Sequence, residues 1–519
     1  MTDTSTGNSG SPARAGSGAV DARPLGATPA PTGSLPSENP HHERRWLILA
    51  VIGIAQLMIV LDATIVTIAL PDAQKDLGFG NGDRQWIVTA YSLAFGALLL
   101  FFGRLADLIG KKNTFIIGLI GFGLASALGG AAPNFEVLVA ARALQGAAGA
   151  MLAPAALSLL TTTFTEPKER GTAFAVFGGI AGSGAAIGML LGGLLTEYFN
   201  WRWTLFVNVA FTVVALAGAI TLLHTQRSEQ RPKLDLFGTV AISGALFCLV
   251  YGFSNAASHP WSAPSTWVFL AGAALGIVVF SWWQTRASHP LMPLRILLDR
   301  DRGGSFAAVF ITGAGMFGVF LFLTYYLQIM LGYSPVKTGL AFLPMVFVLM
   351  VSATLATTRL QQSVGARPLV AVGMALSAAG MAWMTGIDVT TGYTTHILGP
   401  LLIIGIGIGL VMAPAMNIAT LGVNADDAGV ASALVNTMQQ VGGSIGTALL
   451  NTLATAAATS YLTGKQPNPL VLAHAQLHSY ITAFWWSAGI FAAGAIICGL
   501  LLRPGVHVTD SDAAPAVHV

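Results

Sequence analysis

The sequence predicts an all-α, polytopic membrane protein, and three observations carry that prediction. Of 519 residues, 54% are hydrophobic and only 9% are charged, against about 25% charged in ordinary soluble domains. Mean hydropathy is +0.69, and apolar runs of about twenty residues recur, each long enough to cross a hydrocarbon core of roughly 30 Å as a helix. Several stretches of the first half also reappear, in order, in the second.

Composition excludes other classes. Net charge is only +3, and no basic stripe interleaved with aromatics points to nucleic acid. Cys248 and Cys498 both lie in apolar runs, where they suit packing and offer neither metal spacing nor a disulfide framework. No Walker-type loop is present. "GIGIGLV" (405–411) lies inside an apolar run with no strand before it, so it is not a dinucleotide loop. The reading is a protein that is not an enzyme, with no cofactor and no metal.

The elements follow in order. Residues 1–45, rich in Ser, Thr, Gly, Pro and Ala, read as a disordered tail, with no signal-peptide core and cleavage site after it. Residues 46–223 hold six spans, at about 46–70, 85–102, 113–132, 136–163, 171–195 and 203–223. A linker, 224–303, carries two inserted helices at about 235–254 and 266–285. Residues 304–502 hold six more, at about 304–330, 337–357, 368–385, 395–418, 428–456 and 480–502, and 503–519 form a second tail. The total of fourteen is even, so both termini share one side. Placing them inside puts 19 of the 25 Lys and Arg in the tails, even-numbered loops and adjoining helix ends, five on the other side and Arg142 within a span. The positive-inside rule then makes both tails cytoplasmic.

The repeat is specific. "GAMLAPAALS" (149–158) matches "GLVMAPAMNI" (409–418), aligning Gly149 with Gly409 and Pro154 with Pro414, two candidate kinks. Gly171, Gly184 and Gly188 align with Gly429, Gly442 and Gly446. "GRLADLIGKK" (103–112) matches "TRLQQSVGAR" (358–367). Two six-span halves of common plan suggest a transporter, because rocking two similar halves about a central site gives alternating access.

Charges inside spans are the next signal. "VLDATIVTIALP" (60–71) places Asp62 about eight residues from the end of span 1, roughly 12 Å deep. "AARALQGAAGA" places Arg142 about six residues into span 4, roughly 9 Å deep. A lone charge at mid-membrane costs about 2.5–3.5 kcal/mol on insertion scales, which pairing or a wet cavity offsets. Asp62 and Arg142 are therefore expected to face each other, with Gln145 and Gly149 on the same helix face as Arg142. Desolvation and a nearby guanidinium act on a carboxylate's proton affinity in opposite senses. A change in this pair's geometry would then load or release a proton, and a cationic substrate could compete for Asp62. A static ion pair locking spans 1 and 4 is the plainer reading of the same residues.

Three further sets are candidates. In the loop 103–112, Gly103 and Gly110 permit close approach and a tight turn, with Asp107 beside Arg104, Lys111 and Lys112. In span 5, Gly184, Gly188 and Gly192, with Gly193 adjacent, form a small-residue face for helix packing, as Gly442 and Gly446 do in span 13. Gln56, Asn208, Gln328, Asn417, Asn436, Gln439 and Gln440 are polar positions within spans and candidates to line a cavity. Asp426 and Asp427 read as helix-start residues, and histidines 259, 396, 474 and 478 as surface groups.

"LDATIVTIALP", "GRLADLIGKK", "RALQG" and the glycine ladder of span 5 together resemble signature stretches of the major facilitator superfamily. More narrowly they resemble its fourteen-span drug:proton antiporters, as do "WRWTLFVNV" (201–209), "YYLQIMLGYSP" (325–335) and "ALVNTMQQVGGSIG" (433–446). The resemblance implies that the loop 103–112 is a gate whose Asp engages cationic side chains and a helix N-terminus. Gln362 replaces Asp107 in the second copy, so that switch is expected in one half only. The antiporter motif has proline directly after the glycine matching Gly188, where this chain has Met189, a departure at the stretch that marks export. The implied function is efflux of amphipathic, often cationic drugs or antibiotics in exchange for protons, by a monomer in the bacterial cell membrane. Its expected partners are the lipid bilayer, a small-molecule substrate and protons. The alternative is a dedicated carrier of one natural product, lipid or metabolite, proton symport included.

Overall fold

The computed structural model describes residues 44–505, apart from 165, 224–234, 259–261, 390, 422, 424–427 and 467. Nearly all of both expected tails, together with His259, Asp426 and Asp427, lie outside the described residues, as does the side chain of Asp107. The regular structure described is entirely helical.

Fourteen long helices order it. In the N-terminal half they are α1 (Arg45–Leu77), α2 (Gln85–Ile109), α3 (Lys111–Gly130), α4 (Phe135–Thr163), α5 (Pro167–Tyr198) and α6 (Trp203–Leu222). The inserted pair is α7 (Leu236–Ser258) and α8 (Pro264–Gln284). The C-terminal half contains α9 (Arg300–Tyr325), α10 (Pro335–Leu355), α11 (Ala366–Met384), α12 (Leu398–Thr420), α13 (Ala428–Leu462) and α14 (Pro469–Leu501). Thirteen are long and apolar enough to cross a membrane. The other, α13, is 35 residues long but interrupted by Asn436, Gln439, Gln440, Ser444, Thr447 and Asn451. It packs against α2, α7, α9 and α14, so its neighbours in the bundle give it the environment its hydropathy does not.

Local chemistry sets the helix boundaries. Asn134, Asp299, Ser334 and Asn468 each accept a hydrogen bond from the backbone N–H three residues on, capping α4, α9, α10 and α14, the arrangement short polar side chains favour at a helix start. Proline enters the first turn of α5, α8, α10 and α14, where no backbone donor is lost. Gly110 (φ 92°) and Gly365 (φ 80°) turn the chain at matching points of the two halves. The helices run on through Pro154 and Pro414.

The repeat is visible in packing. A Cβ on Gly184 would stand 2.8 Å from Val60 of α1, and one on Gly188 would overlap Thr64. In the second half, a Cβ on Gly442 or Gly446 would overlap Phe310 or Ala314 of α9. Helix ends repeat as well. Lys112 donates to the Leu223 carbonyl (2.6 Å) at the end of α6, and Arg367 donates to the Gly499 carbonyl (2.6 Å) near the end of α14. Cations at helix C-termini also complement the dipole.

Arg45 and Leu501 mark one end of the bundle, the terminal face; the other is the far face. At the far face the halves are joined. Tyr325 donates to Gln74 (2.5 Å), Gln328 to the Ile68 carbonyl (2.9 Å), and Glu197 accepts from the Val336 N–H (3.0 Å). Cβ atoms on Gly193 and Gly339 would meet Pro335 and Met189 across the α5–α10 contact at 2.7 and 2.5 Å. The apolar core there is continuous, with Leu61–Ala73 and Met189 in the same cluster as α9, α10 and α12. Toward the terminal face the N-terminal half has a core of its own. There Thr161 of α4, Val176, Gly178 and Gly179 of α5, Asn417 of α12 and Asn436 of α13 are exposed. The two halves are thus joined closely at the far face, while these α4, α5, α12 and α13 positions are exposed toward the terminal face.

Helices α7 and α8 pack on each other, and α7 lies along α2 and α13. Leu246 and Val250 of α7 share an apolar cluster with Leu93 and Ala97 of α2 and Val441 and Ala448 of α13. Thr452 of α13 donates to the Phe253 carbonyl (2.8 Å). The inserted pair therefore covers the line where the two halves meet.

Candidate transport site

Five helices of the N-terminal half converge on Asp62, which has no exposed surface. Its Oδ2 accepts from Arg142 Nη1 at 2.5 Å. Its Oδ1 accepts from Asn208 Nδ2 of α6 at 2.7 Å and from Gln145 Nε2 at 3.2 Å. Arg142, 2% exposed, also donates to the Ile87 carbonyl (3.0 Å) and to Gln145 Oε1 (2.8 Å), and its guanidinium lies 4.5 Å from the centre of the Tyr91 ring. Gln145 Nε2 reaches Ser126 of α3 (2.7 Å), whose hydroxyl donates to the Phe122 carbonyl (2.7 Å). One buried group of this network is left over: Asn208 Oδ1 has no hydrogen-bond partner among the described residues.

The packing that holds this network is tight. A Cβ on Gly146 would overlap the Tyr91 carbonyl, and one on Gly149 would come within 2.9 Å of Phe95. These small residues let α4 press its polar face on α2, so Arg142 crosses under the Tyr91 ring to Asp62. Burying an ion pair is unfavourable unless its remaining donors and acceptors are satisfied, and here the Gln145, Asn208 and Tyr91 side chains and the Ile87 carbonyl share that task. Among the described residues no group of His, Cys, Asp and Glu is arranged to hold a metal.

Asp62, Arg142 and Gln145 are thus together. The other candidates are dispersed. Asn208, expected as cavity lining, is fully buried on Asp62 instead, because α6 turns its only mid-span amide inward. Gln328 is at the far-face closure. Asn417 bonds Gln361 (3.2 Å) and Asn436 bonds its own helix at Ser432 (3.3 Å), both exposed toward the terminal face. Gln56 and Gln439 are half-buried, and Gln440 lies where α13 meets Gly96. In the loop 103–112, Gly103 faces Pro154, Arg104 donates to the Pro290 carbonyl (3.3 Å), Lys112 caps α6, and Lys111 is half-buried.

Sequence reasoning missed Tyr91, Ser126 and Arg84. Tyr91 and Ser126 are isolated polar groups within apolar runs. Arg84, counted as a loop cation, is only 3% exposed. It donates to Asn451 (3.0 Å) and stacks on Tyr325 (4.4 Å) and Phe322 (5.3 Å).

Two six-helix halves closed at one face, with an ion pair buried at membrane depth, define a membrane transporter. Residues 52–447 match the family model of the Major Facilitator Superfamily, and the chain belongs to that superfamily. It is 45% identical to the puromycin resistance protein pur8 of Streptomyces alboniger over 91% of this chain and 94% of that protein. It is 40% identical to the cephamycin export protein CmcT of Amycolatopsis lactamdurans, over 77% and 83%. The tetracenomycin C resistance and export protein of Streptomyces glaucescens is 35% identical, over 79% and 76%. Among solved structures, an auto-inhibited POT-family peptide transporter superposes with TM-score 0.66 at 17% identity, covering 90% of this chain and 99% of that one. The protein is a multi-pass membrane transporter of small molecules related to antibiotic exporters.

Proposed function

We propose that the protein exports amphipathic drugs or antibiotics across a bacterial plasma membrane by alternating access, in exchange for protons. The observation that carries the proton half is the Asp62–Arg142 pair, buried at membrane depth and tied to five helices. A movement that separates the pair or admits water changes which form of Asp62 the site favours, since charge and desolvation act in opposite senses. Asn208 suits both forms. Its amide nitrogen donates to the carboxylate, and its unpartnered oxygen, after a turn of the amide, would accept from the protonated acid. Each proton moving inward yields about 2.3 kcal/mol per 100 mV, in addition to the pH gradient.

With both termini in the cytoplasm, the terminal face is the loading side, and a single chain suffices for transport. The substrate half rests on the relatives, whose names are those of antibiotic resistance and export proteins. In inside-out vesicles holding a pH gradient, adding puromycin should release protons and Asp62→Asn should abolish the release. Uphill transport by that variant with unchanged pH dependence would remove Asp62 from the coupling role.

A dedicated carrier is the second reading, because three relatives are each named for one compound. A growth-inhibition panel in a pump-deficient host separates the two. A shift for one compound only supports the dedicated carrier, and shifts across several scaffolds support broad efflux.

A further inference from the structure

The contact of α2 with α13 is one of those that must part for the far face to open, and its chemistry is one-sided. The two helices run antiparallel. Arg84 meets Asn451 at the far-face end, while a Cβ on Gly96 would meet Gln440 (3.2 Å) and Val441 (3.1 Å) deeper in. Between these contacts the helical periods bring Thr89 and Ser92 of α2 against Ser444 and Thr447 of α13. All four are at most 1% exposed, and the hydroxyls of Thr89, Ser92 and Thr447 have no hydrogen-bond partner among the described residues. Buried hydroxyls left unpaired are costly, so this closed seam gains when it parts and something hydrogen-bonds to them.

Charge in the buried part of the seam has one sign, with Asp83 exposed at its far-face end. No carboxylate pairs with Arg84 among the described residues; its partners are the Asn451 amide and the Tyr325 and Phe322 rings. Apart from Asp301 in the first turn of α9, helices α9 to α14 contain no Asp or Glu. In the N-terminal half the one acid at mid-membrane is Asp62, already matched by Arg142 and fully buried. An exiting substrate would therefore pass a row of neutral hydroxyls and then the buried Arg84 guanidinium before reaching the exposed carboxylates of Asp83 and Asp72 at the far-face rim.

We infer that Arg84 and the α2–α13 hydroxyl stripe make this transporter selective for neutral or anionic amphiphiles, those bearing carboxylate, phenolate or carbonyl acceptors, over permanent cations. The inference rests on the efflux reading and reverses its expectation of cationic substrates. A guanidinium offers rigid donors for such acceptors, and a like charge beside it is repelled more strongly in the protein interior than in water.

The test uses one BODIPY fluorophore carrying a carboxylate, an acetamide or a trimethylammonium group, taken up by inside-out vesicles with puromycin as reference. Wild type should move the anionic and neutral probes roughly tenfold faster than the cation, a preference of the size one unmatched charge can supply. Arg84→Gln should bring the three rates within about twofold of one another. Arg84→Lys, which keeps the charge but loses the fork, should retain the preference, and size-exclusion profiles of both variants check folding. Equal uptake of cation and anion by wild type, or a ratio unchanged in Arg84→Gln, overturns the inference. So does uptake of none of the three by vesicles that pump puromycin. Vesicles that move neither the probes nor any antibiotic of the growth panel overturn the efflux reading itself.

Discussion

Removing the charge of Asp62 leaves a guanidinium buried among Tyr91, Gln145 and the Ile87 carbonyl with no anion to match it. Breaking one side of a buried pair costs about 3–5 kcal/mol, whereas replacing both partners by neutral groups costs far less. Asp62→Asn should therefore lower thermal stability in detergent sharply, and Asp62→Asn with Arg142→Gln should recover most of the loss. Neither should couple transport to protons. If the double variant regained stability and proton release together, the pair would be structural. The pair is legible in the sequence because two charges stand out in apolar runs and counting residues gives each a depth. Tyr91, Ser126 and Asn208 are not, since a single polar residue in a span has no periodicity that says what it faces. Arg84 is hidden for another reason: "GNGDRQW" reads as an exposed loop, and only the opposing half supplies the aromatic rings that bury its cation.

Helix packing is written most plainly in glycine, but the letter alone does not say which glycines matter. In α5, Gly188 lies against Thr64 and the Leu61 carbonyl, whereas Gly178 and Gly179 have nothing within 4 Å of where a Cβ would stand. Gly188→Ala should force α1 and α5 apart and cost about 1–3 kcal/mol, the usual range for overpacking. Gly178→Ala should be neutral or slightly stabilising, since alanine is the better helix former. Thermal melts of the two variants check this, and equal effects would mean that the α1–α5 contact is not tight. The repeat in the sequence is legible at this scale too, because Gly442 and Gly446 meet α9 as Gly184 and Gly188 meet α1. Helices α7 and α8 leave no comparable sign. Their position follows from a shared apolar surface with α2 and α13, and apolar residues in a span look the same whether they face lipid or protein.

At the scale of the molecule the question is whether the far-face closure is a fixed wall or a gate. The contacts there are short and mixed: a tyrosine–glutamine bond, an arginine between two rings, and helix backbones touching at Gly193 and Gly339. These polar contacts sit beside an apolar core shared by both halves, and the hydroxyls behind them lack partners among the described residues, so the wall combines a greasy seal with polar contacts that can be exchanged. Two compact halves joined by contacts of this sort can rock, and a covalent tie across the contact should stop them. Gly193 and Val336 can carry it, since a Cβ on Gly193 would lie 2.8 Å from the Val336 Cα, although α5 and α10 must move apart to give a disulfide its usual spacing. In a background with Cys248 and Cys498 replaced, Gly193→Cys with Val336→Cys should pump when reduced, more slowly than the parent because a side chain at Gly193 crowds Pro335, and stop when oxidised, with that activity returning on reduction. Neither single cysteine variant should respond to the oxidant. Full transport by the oxidised, cross-linked double variant would mean that the far face never opens along α5 and α10. The exit would then have to be sought elsewhere, and the α2–α13 seam could be tied in the same way to ask whether it opens alone.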